Sequence, residues 1–332
     1  MIVHDRYSLR TSNTLGFDVC AEHYAGVASE DELQEAVEYA AHRRWPVFVL
    51  GGGSNIVLTR NVPGLVIRQT SATLTRDGEK LTASAGVAWD NLVRQSLDMG
   101  LNGLENLSLI PGDTGAAPMQ NIGAYGVELA DRLLQLRVFH LPSREWRIHD
   151  RDDCRFGYRD SLFKQERGKH VITSITLGLG SSCALVADYT SLARELEQQE
   201  IEHPQAGDIA AAVVRIRRSK LPDPTRIGNA GSFFKNPLVD ADRFASLERL
   251  TPGLIGHPDG MGRVKLAAAQ LIEACGFKGV SRGAVGVHTE QALVLVHHGR
   301  GKGAELLALA GEITDAVRER YGVDLIIEPV VL

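Results

Sequence analysis

Two β-rich runs on either side of a glycine loop restrict the fold of this chain more than any other sequence feature. The runs cover residues 46–50 and 56–58, and Gly51-Gly52-Gly53-Ser54-Asn55 lies between them. The dinucleotide-binding fold requires a third glycine at position 56 and a helix directly after the loop. Position 56 is isoleucine instead, and it opens an apolar run. The sequence therefore predicts strand, loop and strand, which excludes the dinucleotide-binding fold.

The residue types of this loop suit the binding of an anion. Glycine allows positive φ angles, so successive backbone N–H groups can point toward one anion. Ser54 and Asn55 add side-chain donors. A phosphate cradle and a plain hairpin turn are both compatible with the spacing, which does not decide between them.

Length and composition limit the class of protein. A chain of 332 residues exceeds the usual size of one domain, so we expect two or three domains with an ample apolar core. The formal charge of −5 gives no general attraction to nucleic acid. The cysteines lack the spacing of a metal site and are too sparse for a disulfide scaffold. They are Cys20, Cys154, Cys183 and Cys275.

The N-terminal segment and the hydropathy pattern bear on the location of the protein. Residues 1–11 lack the apolar core of a signal peptide. No apolar run approaches the length that spans a bilayer. Together with the dispersed cysteines, these features lead us to expect a soluble cytoplasmic protein.

Hydrophobic periodicity predicts helices and strands in irregular alternation. Ser29 followed by Glu32 forms a capping-box pattern at the start of a helix over residues 29–44. Further helices are predicted from Trp89 to Gly100, from Asp208 to the prolines at 222 and 224, and over 264–275 and 303–321. Strands are predicted at 65–67, 81–85, 133–139, 171–179, 292–297 and 323–331, with a polar segment near 190–207.

A stretch over residues 101–129 is rich in glycine yet carries apolar residues throughout, so we expect an ordered loop region. Its centre reads IPGDTGAAP at 110–118 and QNIGAYG at 120–126. Small residues let the backbone approach a flat ligand closely, and exposed amides can bond to its polar edge. An Ω-loop without a ligand explains the composition equally well.

Two groups of basic residues are candidates for binding acidic ligands. Arg159 lies among aromatic and small residues in RFGYRDS, where its planar guanidinium could bind a carboxylate through two hydrogen bonds. A structural salt bridge is the commoner role of such an arginine. Arg215, Arg217, Arg218 and Lys220 crowd the end of a predicted helix, where cations also complement the helix dipole without any ligand.

Two further polar residues stand out by their surroundings. Ser232 lies in the small-residue turn GNAGSFFKNP at 228–237, without the G-x-S-x-G setting of a hydrolase nucleophile. Most serines in such turns bond only to their own backbone. Glu328 lies within an apolar run near the end of the chain, where a carboxylate is either exposed or functional.

Successive segments of the chain resemble the motifs of one enzyme family, UDP-N-acetylenolpyruvoylglucosamine reductase. The segments are 50–58 (LGGGSNIVL), 103–129 (GLENLSLIPGDTGAAPMQNIGAYGVEL), 155–163 (RFGYRDSLF), 220–224 (KLPDP), 228–237 (GNAGSFFKNP), 264–268 (VKLAA) and 291–295 (QALVL). They occur in the family's order over roughly residues 8–331. The undivided FGYRDS segment resembles the longer, type I form of the family.

The resemblance implies an α+β fold that binds FAD non-covalently. A two-part FAD-binding domain of the vanillyl-alcohol-oxidase (PCMH) type is followed in this family by a C-terminal α+β substrate-binding domain. Residues 1–70 with 325–332 would form the first FAD-binding subdomain, 71–217 the second, and 218–324 the substrate-binding domain. The residues implied to hold FAD are Gly51, Gly52, Gly53, Ser54, Asn55, Pro111, Gly112, Gly115, Gly123 and Arg217, and no metal site is implied.

The family's reaction is the NADPH-dependent reduction of UDP-N-acetylglucosamine enolpyruvate to UDP-N-acetylmuramate, a step in peptidoglycan precursor synthesis. NADPH reduces the flavin, and flavin N5 then passes a hydride to the enolpyruvyl CH2 group. The negative charge that develops must be stabilised, and the neighbouring carbon must be protonated. By resemblance, Arg159 and Glu328 polarise the substrate carboxylate, and Ser232 delivers the proton.

The resemblance also implies a binding site for the UDP-sugar. The residues at matching positions are Tyr158, Tyr189, Lys220, Asn236 and Gln291. The longer form of the family carries a substrate-capping tyrosine within residues 250–262, where this chain has no tyrosine and offers His257 instead. We further expect a monomer that acts on a small molecule and binds neither nucleic acid nor a membrane.

Two other functions are compatible with the residues. A sugar- or alcohol-oxidising enzyme on the same FAD fold would react with oxygen and would need no enolpyruvyl substrate. A flavin- or UDP-sugar-binding module would show no turnover. The presence of Arg159, Ser232 and Glu328 favours the reductase. Nucleic-acid binding through residues 215–220 is the least expected alternative.

Overall fold

The computed structural model describes residues 1–259 and 261–332. The chain forms two compact units, each made of several chain segments. Unit 1 comprises Met1–Ser8, Cys20–Gly53 and Asn61–Ser219, and unit 2 comprises Leu9–Val19, Ser54–Arg60 and Lys220–Leu332. No helix within the described ranges is long and apolar enough to cross a membrane. The finer division of the FAD-binding part into two subdomains stays a prediction.

Helices and strands alternate irregularly along the described chain. The α-helices are α1 (Glu30–Arg43), α2 (Trp89–Asp98), α3 (Leu162–Gln165), α4 (Thr190–Gln198), α5 (Ala206–Lys220), α6 (Ala241–Leu250), α7 (Ala268–Ala274) and α8 (Gly303–Tyr321). The strands are β1 (Val3–Ser8), β2 (Cys20–Val27), β3 (Val47–Val49), β4 (Ile56–Val57), β5 (Val62–Gln69), β6 (Leu74–Asp77), β7 (Lys80–Ser84), β8 (Gly123–Ala124), β9 (Val127–Glu128), β10 (Leu133–His140), β11 (Glu145–Asp150), β12 (His170–Gly178), β13 (Gly228–Ser232), β14 (Leu238–Asp240), β15 (Gly256–Pro258), β16 (Arg263–Leu266), β17 (Ser281–Arg282), β18 (Val285–Val287), β19 (Val294–His297) and β20 (Val330–Val331). Short 3-10 helices cover Arg10–Ser12, Glu105–Leu107, Thr114–Gln120 and Leu129–Asp131. The fold is α+β, as predicted.

The first sheet of unit 1 has the strand order β1-β2-β5-β3. β1 is antiparallel to β2, whereas β2 and β3 are both parallel to β5. α1 joins β2 to β3 and buries the apolar face that its periodicity predicted. Ser29 Oγ accepts a hydrogen bond from Glu32 N at 3.1 Å, which confirms the predicted N-terminal cap. The Glu32 carboxylate bonds to Ala28 N, one residue before the cap.

The second sheet of unit 1 has the order β11-β10-β12-β7-β6 and is antiparallel throughout. α2 contributes Trp89 and Leu92 to the core that this sheet covers. Apolar residues of the glycine-rich stretch, among them Leu104, Leu107 and Leu129, belong to the same core. The stretch is therefore ordered, as predicted, because its apolar side chains are buried.

α4 and α5 pack together in unit 1 through a small apolar cluster. Leu192 and Leu196 of α4 contact a face of α5 that includes Ile209 and Val213. The segment predicted only as polar near 190–207 thus contains a helix, which buries two leucines and exposes most of its other residues. The helix predicted from Asp208 is confirmed and begins two residues earlier.

Unit 2 is built around the sheet β13-β19-β18-β17. α8 packs on its core with Leu306, Leu309 and Ile313, and α7 adds Leu271 and Ile272. A second sheet of unit 2 has the order β14-β16-β15, and β20 pairs in parallel with β4. The C-terminal end of the chain therefore completes the pairing of the strand that follows the glycine loop.

Two predicted elements are wrong in their extent. The helix predicted over 264–275 begins only at Ala268, because residues 263–266 form β16 and pair with strands on both sides. The few apolar residues of so short a segment fit a helical and a strand periodicity equally well. The pairing with both neighbours shows that the segment is a strand. The strand predicted over 323–331 is limited to β20. Pro329 lacks an N–H group, so a continuous ladder is interrupted before it.

Candidate active site

The glycine loop lies against the second glycine-rich stretch within unit 1. A Cβ atom on Gly52 would come within 2.8 Å of Gly112 Cα, and one on Gly51 within 3.1 Å of Ala116 Cβ. Gly53 has φ +62°, a conformation that favours glycine. The two backbones thus approach so closely that position 52 leaves no room for a side chain. Such a loop suits an anion held by backbone N–H groups.

Backbone hydrogen bonds hold the second stretch on the end of β7. Trp89 N donates to Gly112 O at 2.9 Å, and Gly115 N donates to Ala85 O at 2.9 Å. A Cβ atom on Gly115 would lie 2.4 Å from Ala85 Cβ. Pro111 precedes Gly112 and is exposed. Packing alone therefore requires glycine at position 115, whether or not a ligand is bound.

Arg217, near the C-terminal end of α5, has a buried Nε atom without a hydrogen-bond acceptor among the described residues. Burial lowers the pKa of its guanidinium, and Tyr125 and Asp90 offset part of this effect. Tyr125 packs edge-on against Tyr189, with ring centroids 5.6 Å apart. A buried donor without an acceptor is costly. Arg217 therefore fits a bound group that offers an acceptor, as the polar edge of a flavin does.

Arg159 lies beside the same glycine-rich stretch of unit 1. Its Nη2 atom donates to Gly123 O at 2.6 Å, and a Cβ atom on Gly123 would lie 3.1 Å from Nη1. Arg159 has φ +53° in a turn closed by paired backbone bonds between Gly157 and Asp160. Its Cζ atom lies 5.3 Å from the centroid of the Tyr158 ring. The structure thus brings together two motifs that lie about 36 residues apart in the sequence.

In unit 2, the turn that carries Ser232 lies next to the segment that carries Glu328. Glu328 N donates to Phe233 O at 2.9 Å, one residue after Ser232. On the other side, Phe233 N donates to Leu293 O at 2.8 Å. Gly231 has φ +67°, and the pairing of β13 with β19 is irregular between Asn229 and Ser232. An irregular strand end of this kind can turn a side chain out of the ladder.

The other predicted substrate residues are spread over both units. Asn236 Oδ1 accepts a hydrogen bond from Ala268 N at 3.1 Å at the start of α7, and Gln291 Oε1 accepts one from Leu293 N at 3.3 Å. Lys220 ends α5 and is exposed, and Tyr189 is 42% exposed in unit 1. His257 is exposed in β15, and the predicted loop around it includes residue 260, which lies outside the described residues.

The predicted FAD-binding residues also divide between the units. Gly51, Gly52, Gly53, Pro111, Gly112, Gly115, Gly123 and Arg217 belong to unit 1, whereas Ser54 and Asn55 belong to unit 2. Asn55 O accepts a hydrogen bond from Val330 N at 2.9 Å. Close packing of Gly51 and Gly52 on the second stretch, together with the buried Arg217, supports a fit to FAD.

Sequence reasoning missed an ion pair at the glycine loop. Arg68 of β5 lies with its Nη2 atom 3.6 Å from Asp113 Oδ2. Burial raises the pKa of the Asp113 carboxyl, and Arg68 lowers it in part. The available signals were an aspartate within the small residues of IPGDTG and an arginine within an apolar strand. Neither signal indicates a pair by itself, because β5 and residue 113 meet only in the folded chain.

Two family models and several curated proteins match this chain. The family "UDP-N-acetylenolpyruvoylglucosamine reductase, C-terminal domain" matches residues 223–332, and the family "FAD binding domain" matches residues 21–143. The chain is 48% identical to UDP-N-acetylenolpyruvoylglucosamine reductase from Pseudomonas aeruginosa, over 98% of each chain. It is 49% identical to the Ralstonia nicotianae enzyme of the same name, over 100% of this chain and 99% of that one.

A solved structure extends the similarity to the fold. The crystal structure of UDP-N-acetylenolpyruvylglucosamine reductase from Thermus caldophilus matches with a TM-score of 0.69 and 27% sequence identity. The match covers 100% of this chain and 99% of that chain. On the strength of this full-length similarity, the chain belongs to the UDP-N-acetylenolpyruvoylglucosamine reductase family.

Proposed function

We propose that this protein reduces the enolpyruvyl ether of UDP-N-acetylglucosamine enolpyruvate to the lactyl ether of UDP-N-acetylmuramate, with NADPH as the electron donor. The observation that carries the proposal is identity of 48% and 49% over nearly the full chain to two reductases of this name. The product would enter peptidoglycan precursor synthesis, in the cytoplasm. We propose that the protein acts as a monomer and binds no nucleic acid.

FAD would bind along the surface that the glycine loop and the second glycine-rich stretch of unit 1 form together, with Arg217 at the flavin. Support comes from the close approach of Gly52 to Gly112 and from the buried Arg217 Nε atom, which has no acceptor among the described residues. When bound, FAD supplies hydride-transfer chemistry. The chain contributes backbone N–H groups for the pyrophosphate, since small residues leave those groups accessible.

Arg159 would stabilise the negative charge that develops on the substrate carboxylate during reduction. Its guanidinium is held by the bond from Nη2 to Gly123 O, and a planar guanidinium can bind a carboxylate through two hydrogen bonds. Two ionised carboxylates repel each other. For Glu328 to polarise the same group, its carboxyl must therefore carry a proton and act as a hydrogen-bond donor, as protonated acids do in other sites.

Ser232 would protonate the carbon next to the one that receives the hydride. A hydroxyl is a weak acid, so it can act this way only when the acceptor is strongly basic, as an enolate carbon is. Its place in an irregular strand end beside the Glu328 segment supports this role. A positioned acid typically contributes about 10² to 10⁴ in rate.

The UDP part of the substrate would be bound by Tyr158, Tyr189, Lys220, Asn236 and Gln291. Lys220 can pair with a phosphate, because it is exposed at the end of α5. The Asn236 side-chain oxygen is occupied by Ala268 N, so its amide nitrogen is the group that would bond to a phosphate oxygen.

Steady-state turnover tests the proposal. Full-length protein with bound flavin is mixed with NADPH and UDP-N-acetylglucosamine enolpyruvate under anaerobic conditions. We expect one NADPH to be consumed for each product molecule, whose mass rises by two hydrogen atoms. UDP-N-acetylglucosamine without the enolpyruvyl group serves as the control and should consume no NADPH. A protein that does not reduce the enolpyruvyl sugar, but uses oxygen to oxidise a sugar or an alcohol, would instead be an oxidase.

A further inference from the structure

A partly buried ion pair lies directly against the glycine loop of unit 1. Asp113 Oδ1 lies 3.1 Å from the position of a Cβ atom on Gly52, and Asp113 Oδ2 lies 3.9 Å from that of Gly51. The side chain of Asp113 is 12% exposed, and that of Arg68 is 31% exposed. The carboxylate therefore occupies the edge of the loop that would receive the FAD pyrophosphate, and Arg68 Nη2 lies 3.6 Å from its Oδ2 atom.

The charge of this carboxylate opposes the binding of a pyrophosphate. A second anion placed within a few Å of a mostly buried carboxylate is repelled more strongly than in water, because the surrounding dielectric is low. Asp113 forms no side-chain cap on the 3-10 helix that follows it, so local capping does not explain its presence. The positive charge of its partner Arg68 can offset this negative charge and attract an anion to the edge of the loop.

Arg68 retains donors for a further acceptor. Its 3.6 Å approach to Asp113 is longer than a normal nitrogen–oxygen hydrogen bond. A guanidinium carries five N–H donors in a planar fork and binds phosphate through two of them at once. Arg68 lies on β5, where its backbone pairs with Gly26 of β2. The strand thus fixes the base of the side chain near the glycine loop.

We propose that Arg68 binds the FAD pyrophosphate and that Asp113 is a positioning residue, which holds the guanidinium at the edge of the glycine loop. This proposal rests on the proposed function, because it takes the pyrophosphate to lie at residues 51–53. It assigns to the ion pair a role in cofactor binding and none in the chemistry of the substrate.

FAD affinity of the full-length apoprotein tests this role without any turnover. The flavin is stripped, FAD is added back, and the quenching of its fluorescence gives the dissociation constant. We expect Arg68→Gln to weaken FAD binding by about 10- to 100-fold, and Arg68→Lys to weaken it less, because the charge remains without the fork. Asp113→Asn should weaken binding by a smaller factor, and it should add little when combined with Arg68→Gln.

Arg137→Gln is the matched control, because Arg137 also forms an ion pair on a strand of unit 1, with Glu30 at 3.1 Å. Its FAD affinity should equal that of wild type. The rate at which holoprotein releases FAD on dilution gives a second measure that needs no stripping. Arg68→Gln with wild-type affinity and release rate would overturn the proposal. So would an Asp113→Asn protein that binds FAD more tightly, since the carboxylate would then merely repel the cofactor.

Riboflavin, which lacks both phosphates, separates this proposal from the assignment of the loop. Wild type should bind FAD far more tightly than riboflavin, and Arg68→Gln should bind riboflavin as wild type does. If wild type binds both equally, the pyrophosphate does not lie at the glycine loop, and the site assignment fails together with the role proposed for Arg68. If wild type prefers FAD but Arg68→Gln keeps the full preference, only the role proposed for Arg68 fails.

Discussion

Arg217 shows how a single residue can reveal a ligand. Its Nε atom is buried and has no acceptor among the described residues, while burial lowers the pKa of its guanidinium. A charge held in this way destabilises the protein unless a bound group offsets the cost. The nearby Tyr125 and Asp90 offset only part of it. We therefore expect the residue to cost stability in the apoprotein and to stabilise the form that holds the cofactor.

Replacing this arginine should weaken the binding of FAD but stabilise the apoprotein. We expect Arg217→Met to weaken FAD binding by about 10- to 100-fold, because the bond to the flavin is lost. The apoprotein should become more stable, because a buried charge is replaced by an apolar side chain of similar length. Flavin fluorescence titration and thermal unfolding of the apoprotein measure the two effects.

Arg215→Met is the control for this change on the same helix. Arg215 is partly exposed and pairs with Glu195 at 2.7 Å, so neither FAD affinity nor apoprotein stability should change by much. An Arg217→Met apoprotein that is less stable than wild type would contradict the proposed role of Arg217 at the flavin, since Arg217 would then be a structural residue.

At the level of single residues, the sequence predicted positions whose chemistry depends on nearby residues in the chain. The loop at Gly51–Gly53 could be located from glycine spacing, which left an anion cradle and a hairpin turn open, and its binding of an anion remains a prediction. The pair of Arg68 and Asp113 could not be read, because it joins residues 45 positions apart through tertiary structure. The roles of Ser232, Arg159 and Glu328 came from family resemblance and remain predictions.

At the level of elements, prediction succeeded where several local signals indicate the same structure. It failed where pairing with other strands determines the structure. α1 has a cap, an apolar period and a clear end, and its bounds match the prediction to within one residue. β16 has only four residues, two of them apolar, and its strand character comes from β14 and β15 on either side. β1, β2 and β11 were not predicted, because their polar residues mask the alternation.

A histidine cluster on the second sheet of unit 1 makes the stability of this element depend on pH. His149 of β11 and His170 of β12 have ring centroids 5.9 Å apart, and Phe163 packs edge-on against both. Neither ring nitrogen of His149 has a partner among the described residues. Burial lowers the pKa of His149 and of His170, and the bond to Glu166 offsets part of the shift of His170.

The sign of this dependence follows from which state binds the proton first. Because the pKa is lower in the folded protein, the unfolded chain takes up protons first as the pH falls through about 6.5. The free energy of unfolding should therefore fall between pH 7 and pH 5.5. The loss per histidine should stay below about 1.4 kcal/mol per pH unit, the limit for one proton that only the unfolded chain binds.

His149→Phe tests this dependence, because phenylalanine fills a similar space and cannot take up a proton. We expect the variant to lose less unfolding free energy than wild type over this pH range, as measured by urea unfolding at both ends of it. His203→Phe is the control at an exposed position and should keep the wild-type pH dependence. An unchanged pH dependence in His149→Phe would show that other groups cause it.

At the level of the whole molecule, the chain passes between its two units several times. Met1–Ser8 belongs to unit 1, and the next segment, Leu9–Val19, belongs to unit 2. The C-terminal strand β20 pairs with β4, which lies near the start of the sequence. Composition gives no sign of these crossings, since no linker of distinct composition marks them. The sequence therefore predicted the α+β class and the FAD-binding type, but not how the segments are shared between the units.

We propose that Ser232 donates the proton when this chain passes hydride equivalents from NADPH to an enolpyruvyl UDP-sugar. Anaerobic stopped-flow absorbance of the flavin follows the two half-reactions separately, first with NADPH and then with the UDP-sugar. Wild type, Ser232→Ala and the control Ser246→Ala, at a serine of α6 that bonds to Asp242 O, are compared.

We predict that NADPH bleaches the flavin at the same rate in all three proteins. The UDP-sugar should restore the flavin absorbance in wild type and in Ser246→Ala, and about 10² to 10⁴ times more slowly in Ser232→Ala. Restoration at the wild-type rate in Ser232→Ala would contradict the assigned proton donor. Flavin that stays bleached in wild type after the UDP-sugar is added would contradict the proposed reduction of the enolpyruvyl UDP-sugar.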